Sequence, residues 1–212
     1  MKLYSYYRSS AAYRVRIALN LKGLNYDYLP VNLLAMEQKS EEYVAHNPQG
    51  LVPALDTGSG EIIAQSGAIL EWLEETVPEP ALLPAGVLQR SHVRSMVNNI
   101  ACDVHPLLNI AILKYLKDEL HSDKDQIHAW YQTWIDRAFH SVEQFLVQHS
   151  GQFCYGDHVT LADCYLVPQV YNAQRFKISM DHYPRIMRVT QHCNTLTPFV
   201  DAQPERQPDA PA

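Results

Sequence analysis

A proline-rich stretch near residue 80 separates two parts of the sequence that follow different patterns. Residues 77–86 hold three prolines and one glycine. Proline fixes φ and lacks an amide hydrogen, so a run of this kind ends regular secondary structure and is typical of a linker. We therefore predict two domains, one over residues 1–80 and the other over residues 87–212.

Before the linker, short strand-like and helix-like segments alternate. Strands are predicted over residues 2–6, 26–31, 52–55 and 61–64, and helices over residues 11–22, 38–46 and 66–75. The order is βαβαββα. Its first three elements form a βαβ unit, which pairs two strands in parallel through a right-handed crossover. This part is therefore predicted to be a mixed α/β domain.

After the linker, strand signals are weak and helical periodicity dominates. Helices are predicted over residues 87–119, 125–149, 161–174 and 183–193. Residues 201–212 are polar and hold three prolines, so we expect them to be loosely attached. A mixed part followed by helices alone predicts an α/β domain and then an all-α domain.

Composition and charge exclude several classes of protein. The chain has 212 residues, of which 47% are hydrophobic and 19% charged, and this composition is globular rather than disordered. Its 17 basic and 23 acidic residues leave a formal charge of −6, so a nucleic-acid-binding surface is not expected. No apolar run reaches the roughly 18 residues that span a bilayer, so we predict no membrane association. The first residues do not have the pattern of a signal peptide.

The four cysteines and ten histidines do not favour a redox or metal site. No Cys-x-x-Cys, His-x-x-x-His or His-Glu-x-x-His pair occurs, so we predict no bound metal. Without a secretion signal, we expect reduced thiols and a cytoplasmic protein. Cys102 and Cys164 lie in apolar helical stretches, where we expect them to pack in the core.

Two predicted helices begin with residues that suit an anion. Arg8-Ser9-Ser10 stands where the first predicted strand leads into the first predicted helix. Gln65-Ser66 stands where the fourth predicted strand leads into the third predicted helix. A helix N-terminus with a hydroxyl and backbone amides stabilises a thiolate, a carboxylate or a phosphate. Both motifs also fit ordinary helix caps.

Two other motifs have a structural interpretation beside a functional one. Val52-Pro53 enters a strand, where proline marks an edge or a bulge and where a cis bond is accessible. A cis bond exposes the backbone of Val52 to a peptide-like ligand. Residues 160–163, Thr-Leu-Ala-Asp, have the form of a capping box that begins an apolar helix.

Together these motifs resemble the zeta class of the glutathione transferase superfamily. Residues 8–19, which read Arg-Ser-Ser-Ala-Ala-Tyr-Arg-Val-Arg-Ile-Ala-Leu, are similar to the class signature. Further similarities are found at Asn47-Pro48, Val52-Pro53, Gln65-Ser66, and residues 160–169 and 172–176. Ala11 and Tyr13 depart from the signature, because the class has cysteine and tryptophan there.

The resemblance implies a thioredoxin-like glutathione-binding domain followed by an all-α substrate-binding domain, in a homodimer. It implies an enzyme with glutathione as cofactor that isomerises a small dianionic diketo acid from cis to trans. The substrate that the resemblance implies is maleylacetoacetate of tyrosine and phenylalanine catabolism, or alternatively maleylpyruvate of gentisate catabolism. A general glutathione transferase and a non-enzymatic partner-binding protein are also compatible with these motifs, whereas the missing Cys-x-x-Cys argues against a thioredoxin-type redox protein.

The resemblance also implies roles for residues at matching positions. Ser9, with Ser10 beside it, is the expected stabiliser of the glutathione thiolate, and Arg8 and Arg175 are the expected partners of the substrate carboxylates. The expected contacts to glutathione are Ser9, Ser10, Gln38, Val52, Pro53, Gln65, Ser66, His105 and Asn109.

Two positions bear on the choice of substrate. Ile110 and Ala111 stand where maleylpyruvate-acting members of the class carry a pair of arginines. Arg8 and His105, by contrast, resemble the residues that those members have at the matching positions. Because the missing arginines remove two carboxylate partners, we favour maleylacetoacetate.

Overall fold

The first and last parts of the chain fold together, and the middle forms a second body. The computed structural model describes residues 1–211, which divide into two compact units. Unit 1 contains residues 1–82 and 194–211, and unit 2 contains residues 83–193. Unit 1 holds a small mixed sheet with helices, and the described part of unit 2 is helical, so the predicted fold class is confirmed.

Unit 1 is built on a four-stranded sheet in the order β2-β1-β3-β4. The strands are β1 (Lys2–Ser5), β2 (Asp27–Pro30), β3 (Ala54–Asp56) and β4 (Ile62–Ala64). β1 pairs in parallel with β2, as predicted, and antiparallel with β3, which pairs antiparallel with β4. β1 and β4 therefore run in the same direction. We call the end of the sheet at Ser5, Ala54 and Ala64 its exit end, because β1 and β4 end there and β3 begins there.

Nine α-helices are found within residues 1–211. They are α1 (Ser10–Leu21), α2 (Glu41–His46), α3 (Ser66–Thr76), α4 (Val87–Asn98), α5 (Ile110–Asp118), α6 (Lys124–His149), α7 (Leu161–Arg175), α8 (Pro184–Cys193) and α9 (Thr197–Asp201). The single helix predicted over residues 87–119 is wrong, because a π-helical turn at Asn99–Val104 and a 3-10 turn at His105–Leu108 separate α4 from α5. Pro106 lies in the 3-10 turn and has no amide hydrogen for an α-helical ladder.

Helix α1 buries an apolar stripe along one face. Val15, Ala18 and Leu19 are fully buried, and Ser9 is the N-cap. Gly23 follows the helix with a φ of +65°, a left-handed conformation that glycine adopts without strain. The helix packs against α3 and α9, and its burial fixes the direction of its N-terminus at the exit end.

The segment of residues 194–211 is bound to unit 1, so the prediction of a loose tail over residues 201–212 is wrong. The segment begins with α9, and the Asp209 carboxylate accepts hydrogen bonds from Tyr7 and Tyr28. Polar composition did not reveal this, because the polar side chains bind specific partners in the chain rather than water alone. The predicted second domain differs from unit 2 at this point, and the last residue of the predicted tail lies outside the described residues.

Helices α6 and α7 supply much of the core of unit 2. Twelve of the fifteen residues of α7 are buried, among them Cys164, as predicted. The capping box at Thr160 and Asp163 is confirmed. Cys102 is exposed, against the prediction, because the π-helical turn changes which residues face the core.

One described segment, Val87–Asp118, passes a test of length and composition for a membrane span. No such run was predicted from the sequence. In the structure the segment consists of α4, the π-helical turn, the 3-10 turn and α5 rather than one straight helix. Core helices of soluble proteins pass the same test, so a single segment is a weak indication. The absence of a membrane partner stays a prediction.

Candidate functional site

Chain direction brings three of the predicted motifs to the exit end of the sheet. β1 leads out of this end toward Ser9, and β4 leads out of it to Gln65. Val52-Pro53 enters at the same end, because β3 runs antiparallel to both neighbours. Three distant stretches of sequence are thereby brought to one end of unit 1.

Ser9 caps α1 in a way that leaves a donor available. Its backbone is extended, and its Oγ accepts a hydrogen bond from the amide of Ala12 at 3.2 Å. A serine hydroxyl is both donor and acceptor, so a cap that uses the oxygen leaves the hydrogen able to donate. No acidic residue occupies the first turn of α1, so no side-chain charge there offsets the positive end of the helix dipole. Ser10 is the first helical residue and is buried.

Arg8 lies next to Ser9 and is held by aromatic neighbours. Its Nη2 donates to the Tyr6 hydroxyl at 3.2 Å. Its guanidinium carbon lies 5.1 Å from the centre of the Tyr7 ring, within the range of a cation–π interaction. These contacts keep a half-buried cation beside the N-terminus of α1.

Gln65 and Ser66 stand at the start of α3. Gln65 rather than Ser66 is the N-cap residue, and Ser66 is the first residue of the helix. Gln65 has a φ of +71°, which is uncommon for any residue but glycine and is concentrated at functional sites. Its Nε2 donates to Oε1 of Gln49 at 2.6 Å. The sequence analysis assigned no role to Gln49.

Arg14 is a second residue to which the sequence analysis assigned no site role. It is 2% exposed, and its Nη1 donates to the Ser66 Oγ at 3.3 Å. A buried cation therefore lies against the first residue of α3. Arg14 stands four residues before Ala18, on the apolar stripe of α1, and a charge on an apolar stripe is the signal that identifies such a residue.

The Val52–Pro53 peptide bond is cis, which the sequence left open. The carbonyl of the preceding residue, Leu51, accepts hydrogen bonds from the Tyr43 hydroxyl at 2.6 Å and the Asn47 Nδ2 at 2.7 Å. Burial raises the pKa of Tyr43 to about 12, so this hydroxyl stays a donor at neutral pH. The two donors fix the backbone that leads into Val52.

Gln38 lies in the connection between β2 and β3. It belongs to the 3-10 turn Glu37–Lys39 and is buried. Its Nε2 lies 3.6 Å from the Met36 Sδ, and its Oε1 has no hydrogen-bond partner within residues 1–211. A buried amide oxygen of this kind suits an amide donor from a ligand.

The remaining predicted residues belong to unit 2. Arg175 ends α7, donates to the Asn172 Oδ1 at 3.2 Å and lies 4.4 Å from the centre of the Phe176 ring. His105 begins the 3-10 turn before α5. Asn109 caps α5, where its Oδ1 accepts from the Ile112 amide at 3.0 Å. The cap gives Asn109 a structural role whether or not it contacts a ligand.

Two family models cover most of the chain. Residues 8–76 match the glutathione S-transferase N-terminal domain, and residues 107–199 match the glutathione S-transferase C-terminal domain. The chain belongs to the glutathione S-transferase family. Its fold and the arrangement at the exit end of the sheet agree with that membership.

Similar proteins of nearly equal length narrow the class. The maleylacetoacetate isomerase of Pseudomonas aeruginosa is 47% identical over 100% of both chains. A holo maleylpyruvate isomerase structure, described as a bacterial glutathione S-transferase in the zeta class, has a TM-score of 0.97 and 47% identity over 100% of both chains. The maleylacetoacetate isomerase of Anaeromyxobacter dehalogenans 2CP-1, with glutathione in its active site, has a TM-score of 0.90 and 44% identity, covering 99% of this chain and 97% of that one. The resemblance to the zeta class is confirmed.

Proposed function

We propose that the chain is a glutathione-dependent cis–trans isomerase that converts maleylacetoacetate to fumarylacetoacetate. One observation carries the proposal. The N-terminus of α1 presents Ser9 with a hydroxyl able to donate and no acidic side chain in the first turn. The thiolate is the nucleophilic form of a thiol, and such a terminus stabilises it. Relatives named as isomerases, one with glutathione bound, support the same activity.

The residues of unit 1 fit glutathione, a ligand with one thiol, two carboxylates and two peptide groups. Ser9 suits the thiolate. The start of α3, with Arg14 against Ser66, suits the γ-glutamyl carboxylate. The Val52 backbone suits the cysteinyl unit, and the buried Oε1 of Gln38 suits the amide of the glycyl end.

The proposed mechanism divides the work among a few side chains. When bound, glutathione supplies a thiolate that adds to the conjugated double bond and leaves after that bond has rotated. The Ser9 hydroxyl donates a hydrogen bond to the thiolate, and Ser10 begins the helix whose terminus adds positive potential. Arg8 and Arg175 bind the carboxylates of the dianionic substrate. His105 and Asn109 are proposed as further contacts to glutathione.

The choice between the two diketo acids rests on the start of α5. Ile110 is half-exposed there and is followed by Ala111, so these positions offer no cation to a carboxylate. This favours maleylacetoacetate. Maleylpyruvate is the second candidate, because Arg8 and His105 are similar to members that act on it and the holo maleylpyruvate isomerase is as similar as the maleylacetoacetate isomerase.

We further propose that the chain works as a cytoplasmic homodimer in tyrosine and phenylalanine catabolism. Membership of the family supports the dimer, and two-fold symmetry is the commonest arrangement of soluble oligomers. Sedimentation equilibrium tests it: a single species at the monomer mass contradicts the dimer.

A turnover assay tests the activity directly. The purified chain is mixed with maleylacetoacetate or maleylpyruvate, with and without glutathione, and the absorbance of the cis diketo acid is followed. We expect loss of absorbance only with glutathione, and faster with maleylacetoacetate. Faster loss with maleylpyruvate reverses the choice of substrate. No turnover of either, with glutathione still bound, favours a conjugating transferase.

An Arg175→Ala variant separates an isomerase from a general transferase. We expect kcat/KM for the diketo acid to fall by roughly 10–100-fold, the value of a charge-assisted hydrogen bond, while conjugation of a neutral electrophile is unchanged. Arg137→Ala is the matched control, because Arg137 is exposed and also lies over a ring, 5.6 Å from the centre of Trp134. Equal losses for the two substrates contradict the assignment of Arg175.

A further inference from the structure

The loop that carries Ser9 is a tight turn. The Ser9 amide donates to the Tyr6 carbonyl at 2.9 Å, so residues 6–9 form a turn with Tyr7 and Arg8 at its centre. Ser9 is both the last residue of this turn and the cap of α1. A shift of Tyr7 therefore displaces Arg8 and Ser9.

The amide and the carbonyl of Tyr7 are both held from outside the turn. The amide donates to the Asp209 Oδ2 at 3.0 Å. The carbonyl accepts from the Arg16 Nη2 at 3.0 Å, and the Arg16 Nε donates to the Ala202 carbonyl at 3.0 Å. Asp209 and Ala202 both belong to the segment of residues 194–211. That segment therefore holds one side of the turn directly and the other through Arg16.

A second hydrogen bond fixes the Asp209 carboxylate. Its Oδ1 accepts from the Tyr28 hydroxyl at 2.6 Å, and Tyr28 belongs to β2, where it pairs with Leu3 of β1. Burial, followed by the hydrogen bond to Asp209, raises the pKa of Tyr28, so its hydroxyl remains a donor at neutral pH. Each carboxylate oxygen has one donor, and the side chain links the sheet to the turn.

We propose that Asp209 is a positioning residue, which fixes the turn of residues 6–9 and thereby the direction of the Ser9 hydroxyl. The inference rests on the proposed function, because Ser9 acts only if it stabilises the thiol of glutathione as thiolate. Asp209 acts through the Tyr7 amide and Ser9. The residue belongs to a segment whose composition predicts a loose tail. Its contacts instead connect it to the turn that carries Ser9.

Four variants test the assignment. Asp209→Ala removes both hydrogen bonds, Asp209→Asn retains a side-chain oxygen as acceptor, and Tyr28→Phe removes only the link to the sheet. Asp201→Ala is the matched control, because Asp201 is an exposed carboxylate of the same segment, 3.4 Å from the Arg206 Nη1. Two quantities are measured besides turnover: the pKa of the thiol of bound glutathione, from thiolate absorbance, and hydrogen exchange of the Tyr7 amide without glutathione.

For Asp209→Ala we expect faster exchange of the Tyr7 amide and a raised pKa of the bound thiol. We expect kcat to fall about tenfold, less than the roughly 100-fold loss from removing a direct donor, with the KM for the diketo acid unchanged. Asp209→Asn should recover most of the kcat and the thiol pKa. Tyr28→Phe should change both in the same direction as Asp209→Ala but less, and Asp201→Ala should behave like the unchanged chain.

The outcomes separate this inference from the proposed function. Faster Tyr7 exchange in Asp209→Ala with an unchanged thiol pKa and kcat shows a merely structural contact and overturns the inference. If Asp209→Ala does not fold, an unchanged thiol pKa in Tyr28→Phe overturns it instead. If Ser9→Ala itself leaves the thiol pKa unchanged, the proposed role of Ser9 fails and the inference fails with it.

Discussion

Helices α1 and α7 begin with the same kind of residue but have different N-termini. A hydroxyl residue is the N-cap of each, Ser9 in α1 and Thr160 in α7. Three residues later α1 has Ala12, whereas α7 has Asp163. This one difference decides whether the hydroxyl hydrogen of the cap residue is available to a ligand.

At the N-terminus of α7 the cap residue is paired with the acid three residues later. The buried Asp163 carboxylate accepts from the Thr160 amide at 2.8 Å, the Thr160 hydroxyl at 3.1 Å and the Cys154 amide at 2.8 Å. The hydroxyl hydrogen of Thr160 is used, and an acidic side chain stands at the positive end of the helix, where burial raises its pKa and the hydrogen bonds from Cys154 and Thr160 lower it. Such a terminus stabilises the fold, and the Thr160 amide and hydroxyl already donate within the chain.

The N-terminus of α1 has the same cap without the acid. The Ser9 Oγ accepts a hydrogen bond from a backbone amide, and its hydroxyl hydrogen can still be donated. The first turn carries no acidic side chain. A hydroxyl cap without an acid three residues later therefore keeps a hydrogen that a ligand can accept, as Ser9 does. Three substitutions test this contrast.

The largest expected effect is on stability, in Asp163→Ala. The change leaves the buried Thr160 and Cys154 amides without their acceptor, at roughly 1–3 kcal/mol each, so we expect the free energy of unfolding to fall by about 4 kcal/mol. Urea denaturation measures it. Asp123→Ala is the control, because Asp123 forms an exposed capping box at α6 and its loss costs about 1 kcal/mol. If the two variants lose equal free energy of unfolding, the expectation that the buried capping box contributes more than the exposed one is wrong.

The second effect is on turnover, in Ser9→Ala. We expect the rate of isomerisation to fall roughly 100-fold, the scale of one lost electrostatic stabiliser, with a stability loss of only about 1 kcal/mol. Steady-state kinetics and urea denaturation measure the two quantities. Asp123→Ala controls for the loss of a cap and should keep full turnover. A loss of tenfold or less in Ser9→Ala means that Ser10 or the helix terminus is the main stabiliser of the thiolate.

The smallest effect comes from giving α1 an acid, in Ala11→Asp. Ala11 lies in the first turn and is half-buried. A carboxylate there stabilises the helix by about 0.5 kcal/mol, but it raises the pKa of the bound thiol, so turnover at neutral pH falls about fivefold. The loss should recover as the pH rises, because more thiol is then ionised. Ala11→Asn is the uncharged control, and an unchanged pH profile in Ala11→Asp contradicts the argument.

The features that the sequence predicted well are local ones. The helix predicted over residues 11–22 and the capping box at residues 160–163 each depend on residues a few positions apart. The order of strands and helices in unit 1 follows from the same short-range signals. The roles of Ser9, Val52 and Gln65 came from a resemblance to a known class and stay proposals.

The features that the sequence did not reveal depend on distant partners. Tyr7 and Asp209 are 202 positions apart, and no periodicity relates them. The apolar stripe of α1 marks Arg14 as a buried charge, but its acceptor, Ser66, is found only when α1 and α3 pack together. The exposure of Cys102 follows from a π-helical turn, which a count of apolar residues does not detect.

The division of unit 1 between the two ends of the sequence has a consequence for how the protein is made. Ribosomes add about 5–20 residues per second. Translation of residues 83–193 therefore takes roughly 6–20 s, and during this time the sheet lacks the segment of residues 194–211. During that time the nascent chain has Arg16 and Tyr28 in place but not Ala202 and Asp209. The hydrogen bonds around Tyr7 are therefore completed only when residues 194–211 have left the ribosome.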